Sequence, residues 1–275
     1  MTDHAQEPLW EARDIATRFV RARLSASSLA DFPGVAPVDL TSAYACQDAA
    51  IAMWPDEVAG WKVGRIGEPW FGRLGEDRLV GPMFRRAVRP AKPGHILEFP
   101  VFVGGFAAVE AEFVVQLAVD APAAQTSWTA TDARELVGAM HVGIETAGSP
   151  LATINELGSA VVIADFGNNA GLIVGPAIPD WADLPLDYLT SETFVDEQRV
   201  GAGSAASIPG GPMTALAFAL TRCARRGLPL KAGQWVSTGA TTGIHDIHVG
   251  QSARAVFGGV GEILCRAVRA QGAAC

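Results

Sequence analysis

The 275-residue sequence predicts an α+β protein in which a small helical region precedes a larger, strand-rich region. Two observations lead to this prediction. Apolar residues near the N-terminus recur at about the 3.6-residue period of a helix. From Gly60 onward, short apolar runs alternate with glycine and proline, which is typical of strands separated by turns. We therefore divide the chain into a helical region, residues 1–58, and a strand-rich region, residues 59–275.

Helices are expected at four places. The predicted helices cover residues 8–30, 42–53, 132–136 and 212–226. Asp39 or Thr41 is the expected N-cap of the second helix and Thr131 of the third, because short polar side chains accept hydrogen bonds from free backbone N–H groups. Gly227 is expected to end the last helix, since glycine is common just beyond a helix C-terminus.

Strands are expected where a short apolar run is bounded by glycine, proline or small polar residues. These runs are residues 60–63, 101–106, 108–117, 140–146, 160–163, 170–174 and 234–238. The Ala- and Pro-containing segment 121–126 is too short to link two domains, and we interpret it as a loop.

Two glutamates on one predicted strand are the most informative feature of the chain. Glu110 and Glu112 lie two residues apart among Phe, Val and Ala, and a strand directs residues i and i+2 to the same face. Two carboxylates in apolar surroundings repel each other, and a hard divalent cation would compensate their charge. A half-exposed edge strand with two solvated glutamates explains the local pattern equally well.

Two further side chains are candidates for the same site, each with a plainer alternative. Glu145 lies on another apolar run and would complete a carboxylate set suited to Mg²⁺ or Mn²⁺, or it is an ordinary strand-end glutamate. Lys62 lies within a strand, where it either meets an anion or extends its ammonium group to water. Asp165 precedes two asparagines, a pattern that by itself indicates a turn.

Composition argues against several classes of function. The net charge is -8 and the isoelectric point is about 5.1, whereas nucleic-acid binding depends on clustered Lys and Arg. No apolar stretch has the length of a membrane span or resembles the core of a signal peptide. The scattered cysteines are expected to be reduced thiols in a cytoplasmic protein. They are Cys46, Cys223, Cys265 and Cys275.

Several short segments are weakly informative alone, but their combined order along the chain is specific for one group of proteins. They are residues 43–47 (AYACQ), 60–64 (GWKVG), 109–112 (VEAE), Glu145, 164–171 (ADFGNNAG) and 230–243 (LKAGQWVSTGATTG). In this order they resemble the fumarylacetoacetate hydrolase superfamily, in its branch of 2-keto-4-pentenoate hydratases and 4-oxalocrotonate decarboxylases. The resemblance covers the chain from about residue 40 to residue 268.

The resemblance implies a mixed β-roll for residues 59–275, with the small helical region added to it. The implied metal ligands are Glu110, Glu112 and Glu145, the catalytic residues Lys62 and Asp165, and the substrate-binding residues Gly239 and Thr242. The implied cofactor is Mg²⁺ or Mn²⁺. The implied reaction is hydration of a 2-hydroxy-2,4-dienoate or 2-keto-enoate to a 4-hydroxy-2-keto acid, as in the degradation of aromatic compounds. A homo-oligomer that acts on a small-molecule 2-keto acid is expected, without nucleic-acid or membrane partners.

The sequence departs from this family where substrate recognition is expected. Segment 146–150 lacks the Asp and Arg that the family's hydratases commonly carry after the third glutamate, and Ala240 replaces a usual serine. Without an arginine there, a distal carboxylate of the substrate would be costly to desolvate. We therefore expect monocarboxylic dienoates to be preferred over dicarboxylic ones.

Three alternative functions remain compatible with the sequence. Decarboxylation of a vinylogous 2-keto diacid such as 4-oxalocrotonate needs the same metal and the same enolate. Hydrolysis of an acylpyruvate C–C bond would favour a His–Glu pair that activates water, and His4, in a polar tail, weighs against it. A non-catalytic role as the partner of another enzyme would be excluded by metal-dependent turnover of the isolated chain.

Overall fold

The computed structural model describes residues 7–272. The predictions made for His4 and Cys275 lie outside this range. Its helices are α1 (Glu7–Leu24), α2 (Leu40–Met53), α3 (Trp70–Leu74), α4 (Ala130–Arg134), α5 (Ser159–Ala164) and α6 (Gly211–Arg225). Within this range, no helix combines the length and apolar character needed to cross a membrane.

The strands form two sheets. They are β1 (Val58–Arg65), β2 (Arg78–Phe84), β3 (Val88–Pro90), β4 (Ile96–Val101), β5 (Phe106–Leu117), β6 (Val137–Ser149), β7 (Asn169–Ala177), β8 (Thr190–Val195), β9 (Gln198–Ser204), β10 (Trp235–Ala240), β11 (His245–Asp246), β12 (Ser252–Phe257) and β13 (Gly261–Arg269). The larger sheet has the order β2-β1-β10-β5-β6-β7-β3, with β11 paired to β5, and the smaller has the order β4-β13-β12-β8-β9. Parallel and antiparallel pairs occur in both. The predicted α+β class with mixed sheets is therefore confirmed.

The larger sheet is covered by apolar side chains on both faces. On one face, Phe113 of β5 packs edge-to-face on Phe257 of β12, with ring centroids 5.8 Å apart, so the two sheets share a core. Farther along the same face, Leu216 and Leu220 of α6 lie in a buried cluster with Val236 of β10. On the opposite face, Val114 of β5 is buried in a cluster with Leu172 of β7. A central strand of this sheet therefore offers little contact with water, which matters for any charged residue it carries.

The helical region is attached to the larger sheet through specific polar contacts. The Tyr44 hydroxyl accepts a hydrogen bond from the Val80 N–H, and the Gln47 amide donates to the Val80 and Ile163 carbonyl oxygens. Phe19 of α1 packs in a buried cluster with Ile154. These contacts hold α1 and α2 against β2 and α5, so a side chain at the end of α1 can enter the sheet region.

Most predicted helices and strands are present, with differences at their ends. Asp39 caps α2 through a hydrogen bond from the Ser42 N–H, as one of the two predicted caps. Helix α4 is capped by Thr129 rather than Thr131 and spans Ala130–Arg134, because Thr129 and Asp132 form a reciprocal capping box. Helix α1 ends at Leu24, before Ala26 with its φ of +53°, rather than near residue 30.

Two predicted strands are wrong. Residues 160–163 lie within helix α5, because a short, fully apolar run has no periodicity that separates a buried helix from a buried strand. Residues 101–106 are not one strand, since the chain turns between β4 and β5 at Gly104, with φ +80°, and Gly105. A Cβ at Gly105 would lie 2.2 Å from the Ser149 carbonyl oxygen, so this turn requires glycine.

Candidate metal centre

The register of two neighbouring strands brings the three predicted glutamates together. Glu110 of β5 lies directly opposite Glu145 of β6, and Glu112 follows two residues along β5 on the same face. Each of the three offers a carboxylate oxygen within 4.8 Å of those of the others. All three side chains are buried.

The alternative of solvated glutamates on an edge strand is wrong. Strand β5 is paired on both sides, to β6 and to β10 with β11, and Glu112 and Glu145 have no exposed surface. Burial raises the pKa of Glu110 to about 7, with Glu145 adding to the rise and Lys62 opposing it. Burial, together with Glu145 and Glu110, also raises the pKa of Glu112 well above its usual value. The three carboxylates therefore repel one another strongly.

Lys62 is the cation nearest to this cluster. It lies on β1, 5% exposed, with its Nζ 3.3 Å from Glu145 Oε1, so the alternative that its end reaches water is wrong. Burial lowers the pKa of Lys62, but the charges of the three glutamates outweigh that effect and hold it above its usual value. One ammonium group faces three carboxyl groups, so the cluster has an excess of negative charge when all three are ionised.

The carboxylate oxygens are only partly satisfied by hydrogen bonds. Gly239 N–H donates to Glu112 Oε2 over 2.7 Å, and the Ser237 hydroxyl donates to the same oxygen. Glu112 Oε1 and Glu145 Oε2 are buried and have no hydrogen-bond partner. Buried oxygens without partners are costly. An all-carboxylate donor set with free oxygens fits a hard divalent cation such as Mg²⁺ or Mn²⁺.

Gly239, predicted to bind substrate, has a structural reason to be glycine. Its φ of +117° is disfavoured for other residues, and the pairing of β10 with β5 shifts register between Ser237 and Ala240. This conformation directs the Gly239 N–H to Glu112. Gly239 also borders a cavity that Glu110 lines.

Asp165 is buried and forms its hydrogen bonds with Arg23 and Ser149. Its Oδ1 accepts a hydrogen bond from Arg23 Nε and its Oδ2 accepts one from the Ser149 hydroxyl, each over 2.6 Å. Both oxygens are thus engaged by residues other than Lys62. Its catalytic role stays a prediction, and the contacts favour a role in positioning.

Arg23, at the end of α1, was not identified from the sequence. Its guanidinium is buried and also donates to the Gly148 and Asn169 carbonyl oxygens over 2.9 and 3.1 Å. The Asn169 amide in turn donates to Glu145 Oε1 over 2.9 Å. A hydrogen-bonded chain therefore runs from the helical region to the carboxylate of Glu145.

A cavity of about 590 Å³ opens beside the glutamates. Lys62, Glu110 and Gly239 border it, together with Arg65 and Arg78 farther along β1 and β2. Apolar side chains make up much of the remaining wall, including those of Leu79, Val162 and Ile208. The cavity has the size and the mixed polarity of a small-molecule site.

Thr242, the other predicted substrate-binding residue, does not line this cavity. Its hydroxyl lies 2.8 Å from the Thr193 hydroxyl and 3.2 Å from His245 Nε2. After the register shift in β10, it is Ala240 rather than Thr242 that borders the cavity. The proposed substrate contact of Thr242 stays a prediction that this geometry does not support.

The prediction that a distal carboxylate would lack an arginine partner was based on segment 146–150. Segment 146–150 is buried and does not border the cavity, since the Gly148 carbonyl and the Ser149 hydroxyl bond to Arg23 and Asp165 instead. Arg65 and Arg78 come from other strands and face the cavity. The argument for monocarboxylic substrates therefore loses its premise.

Several solved structures have a fold similar to that of this chain. No family model matches the sequence. The 4-oxalocrotonate decarboxylase from Pseudomonas putida G7, complexed with magnesium and adipate, is 18% identical, with a TM-score of 0.76 over 97% of this chain and 99% of that chain. The same enzyme complexed with calcium and acetate is 18% identical, with a TM-score of 0.75 over 94% of this chain and 98% of that chain.

A hydrolase has a similar fold over a smaller part of the chain. The fumarylpyruvate hydrolase from Pseudomonas aeruginosa, in complex with Mn²⁺ and pyruvate, is 17% identical, with a TM-score of 0.58. The match covers 76% of this chain and 89% of that chain. These similarities establish a shared fold.

Proposed function

We propose that Glu110, Glu112 and Glu145 bind a divalent cation, Mg²⁺ or Mn²⁺. The observation that carries this proposal is a cluster of three buried carboxyl groups that faces only one ammonium group and leaves two oxygens without partners. The similar structures that contain magnesium, calcium or Mn²⁺ support it.

We further propose that the protein is a lyase that acts on a 2-keto acid through its enolate, and that its reaction is hydration of a 2-hydroxy-2,4-dienoate. When bound, the cation would supply positive charge for the oxygen on which the enolate charge develops. Lys62 borders the cavity beside Glu110 and is held protonated, so it can neutralise the substrate carboxylate or donate a proton. The apolar walls limit the access of bulk water to the reacting atoms.

Hydration also needs a group that accepts a proton from water. Asp77 and Asp246 are the other carboxylates that border the cavity. Asp77 is engaged by Arg78 through its Oδ2, whereas Asp246 has an exposed side chain on β11, next to β5. We propose Asp246 as the group that orients or deprotonates the attacking water.

Decarboxylation of a vinylogous 2-keto diacid is the second candidate. Two observations favour it: the similarity to 4-oxalocrotonate decarboxylase extends over nearly the whole of both chains, and arginines border the cavity. Adipate, present in that decarboxylase structure, is itself a diacid. The same enolate forms in both reactions, so the glutamates and Lys62 would keep their roles.

One experiment separates the two reactions. The metal-loaded protein is incubated separately with 2-hydroxypenta-2,4-dienoate and with 4-oxalocrotonate, and the products are identified by mass. Addition of water supports the hydratase, and loss of CO₂ as the main reaction supports the decarboxylase. If neither compound is converted with Mg²⁺ or Mn²⁺ present, the proposed function is wrong.

Asn169→Ala is expected to weaken Mg²⁺ binding about ten- to hundredfold, because residues that orient metal ligands contribute this much to affinity. The substitution removes the amide that donates to Glu145 Oε1. Calorimetric titration with Mg²⁺ measures the change. Gln116→Ala, which truncates an amide on β5 outside the cluster, is the control and should retain the affinity of the parent protein. Equal affinity in both variants would contradict the positioning role.

The stabilisation by Mg²⁺ is expected to increase as pH rises from about 6 to about 8. A cation binds the ionised carboxylates, so at lower pH it must displace protons, and Glu110 has a pKa of about 7. Because this folded-state pKa exceeds the usual 4.5, the metal-free protein itself loses stability as pH rises from about 4.5 to about 7. The difference in Tm with and without saturating MgCl₂ measures the effect. A difference that shrinks with rising pH would contradict the account.

A further inference from the structure

A second cavity, of about 420 Å³, lies apart from the metal centre. Among residues 7–272, no residue borders both this cavity and the one beside the glutamates. Its walls come from the ends of α1 and α2, from β6 and β7 of the larger sheet, and from β4 of the smaller sheet. Thr146 borders it and follows Glu145 on β6, and consecutive strand residues point to opposite faces. The second cavity therefore lies on the face of the larger sheet opposite to the glutamates.

Three aromatic rings form one wall of this second cavity. They belong to Trp54, Phe84 and Phe166, and the centroids of the three pairs lie 5.0, 5.3 and 5.5 Å apart. Phe166 has a φ of +55°, which is uncommon for a bulky residue, and the next two residues, Gly167 and Asn168, border the first cavity instead. The chain is thus strained where it separates the two cavities, as is common at binding sites. The ring wall suits a ligand with an apolar or aromatic body.

The charged side chains that border the second cavity are three arginines and one aspartate, Asp56. Arg23 Nε is paired with Asp165 Oδ1 over 2.6 Å, and Arg86 Nε lies 3.9 Å from Asp56 Oδ1. These two guanidinium groups therefore have carboxylate partners within the protein, and the third arginine is left to balance.

Arg89, on β3, is that third arginine. It is half-buried and forms no ion pair with any residue between 7 and 272. Its Nη2 donates to the Glu98 carbonyl oxygen, a neutral group that does not compensate its charge. Its strand partner Ile173 also borders the cavity, so a cation and an apolar side chain lie next to each other there. A guanidinium presents parallel N–H donors that match the two oxygens of a carboxylate.

We infer that the second cavity is a ligand site for a monocarboxylate with an aromatic or apolar body. The body packs against the rings of Trp54, Phe84 and Phe166, and the carboxylate accepts hydrogen bonds from Arg89. One uncompensated guanidinium favours a ligand with a single negative charge. The volume lies in the range of small-molecule sites. The site requires neither the divalent cation nor a 2-keto acid, so it is independent of the function proposed above.

The test uses 3-phenylpropanoate and its uncharged amide, 3-phenylpropanamide, which have the same apolar body. Each is titrated calorimetrically into the full-length protein in the presence of EDTA. We expect the acid to bind with a Kd below about 1 mM and the amide to bind at least about tenfold more weakly, as for a lost charge-assisted hydrogen bond. In Arg89→Gln the ratio of the two affinities should fall close to one. Ala87→Phe, which adds a ring at the cavity wall, should weaken the binding of both compounds.

Arg85→Gln is the matched control, because Arg85 lies in the same turn as Ala87, is exposed, and borders neither cavity. It should keep the parent ratio. Arg65→Gln detects binding in the first cavity, which Arg65 borders. The inference is overturned if the ratio falls in Arg65→Gln but not in Arg89→Gln, if the parent protein binds acid and amide equally, or if the acid shows no saturable binding below about 1 mM. Because the assay contains no free divalent cation, these outcomes are distinct from those that test the metal centre.

Discussion

Glu112→Gln is expected to lower turnover by more than about 100-fold and to abolish the rise in Tm caused by Mg²⁺. A ligand contributes at least as much as the residues that orient it, and a neutral amide is a poor ligand for a hard cation. The metal-free variant should unfold at the same temperature as the parent protein or higher. One of three mutually repelling buried carboxylates has been removed, and the new amide can donate to its neighbours.

A loss of turnover and of the Mg²⁺ response, without a loss of stability in the metal-free protein, distinguishes a metal ligand from a residue needed only for folding. Glu98→Gln serves as the control, because Glu98 is an exposed glutamate on another strand, β4. It should leave both turnover and the response to Mg²⁺ unchanged. A Glu112→Gln protein that is active with Mg²⁺, or one that is less stable without metal, would contradict the proposed arrangement of charges.

Lys62→Met is expected to destabilise the metal-free protein by about 3 kcal/mol, because it removes the one cation paired with a buried carboxylate cluster. Bound Mg²⁺ should restore part of this loss, since the cation compensates the same charges. In the metal-loaded protein kcat/KM should still fall about ten- to hundredfold, the value of one charge-assisted hydrogen bond to the substrate. Urea unfolding with and without Mg²⁺, together with steady-state kinetics, measures the three effects.

Lys92→Met provides the comparison, since Lys92 lies on an exposed loop between β3 and β4. It should behave as the parent protein in both assays. If Lys62→Met shows normal kcat/KM in the metal-loaded form, Lys62 has only a structural role. If its stability without metal is unchanged, the ion pair with Glu145 contributes nothing to the fold.

The glutamate cluster was accessible from the sequence because its signal is local. Two glutamates two residues apart on an apolar strand share a face, and the third occurs on the next predicted strand. The direct opposition of Glu110 and Glu145 depends on the register of β5 and β6, which the sequence pattern alone does not determine. The burial of Lys62 likewise follows from its position on an inner strand, paired on both sides.

The parts that escaped prediction depend on contacts between distant segments. Arg23 donates a hydrogen bond to Asp165, which lies 142 positions away. The helical spacing of α1 does not indicate this contact. The position of Arg65 and Arg78 at the cavity likewise depends on the pairing of β1 with β2, which the sequence pattern does not indicate. Residues 160–163 were assigned to a strand because the run is too short to show a period.

The central claim is that the three glutamates hold a cation at which a 2-keto acid forms its enolate. Exchange of the C3 protons of 2-oxohexanoate in D₂O, followed by NMR, tests it most directly, because exchange at C3 requires enolate formation and no later step. With Mg²⁺ the parent protein should accelerate the exchange, and both EDTA and the Glu112→Gln substitution should return it to the rate without protein. Exchange that stays at the uncatalysed rate with Mg²⁺, or that continues undiminished in EDTA, would contradict the claim.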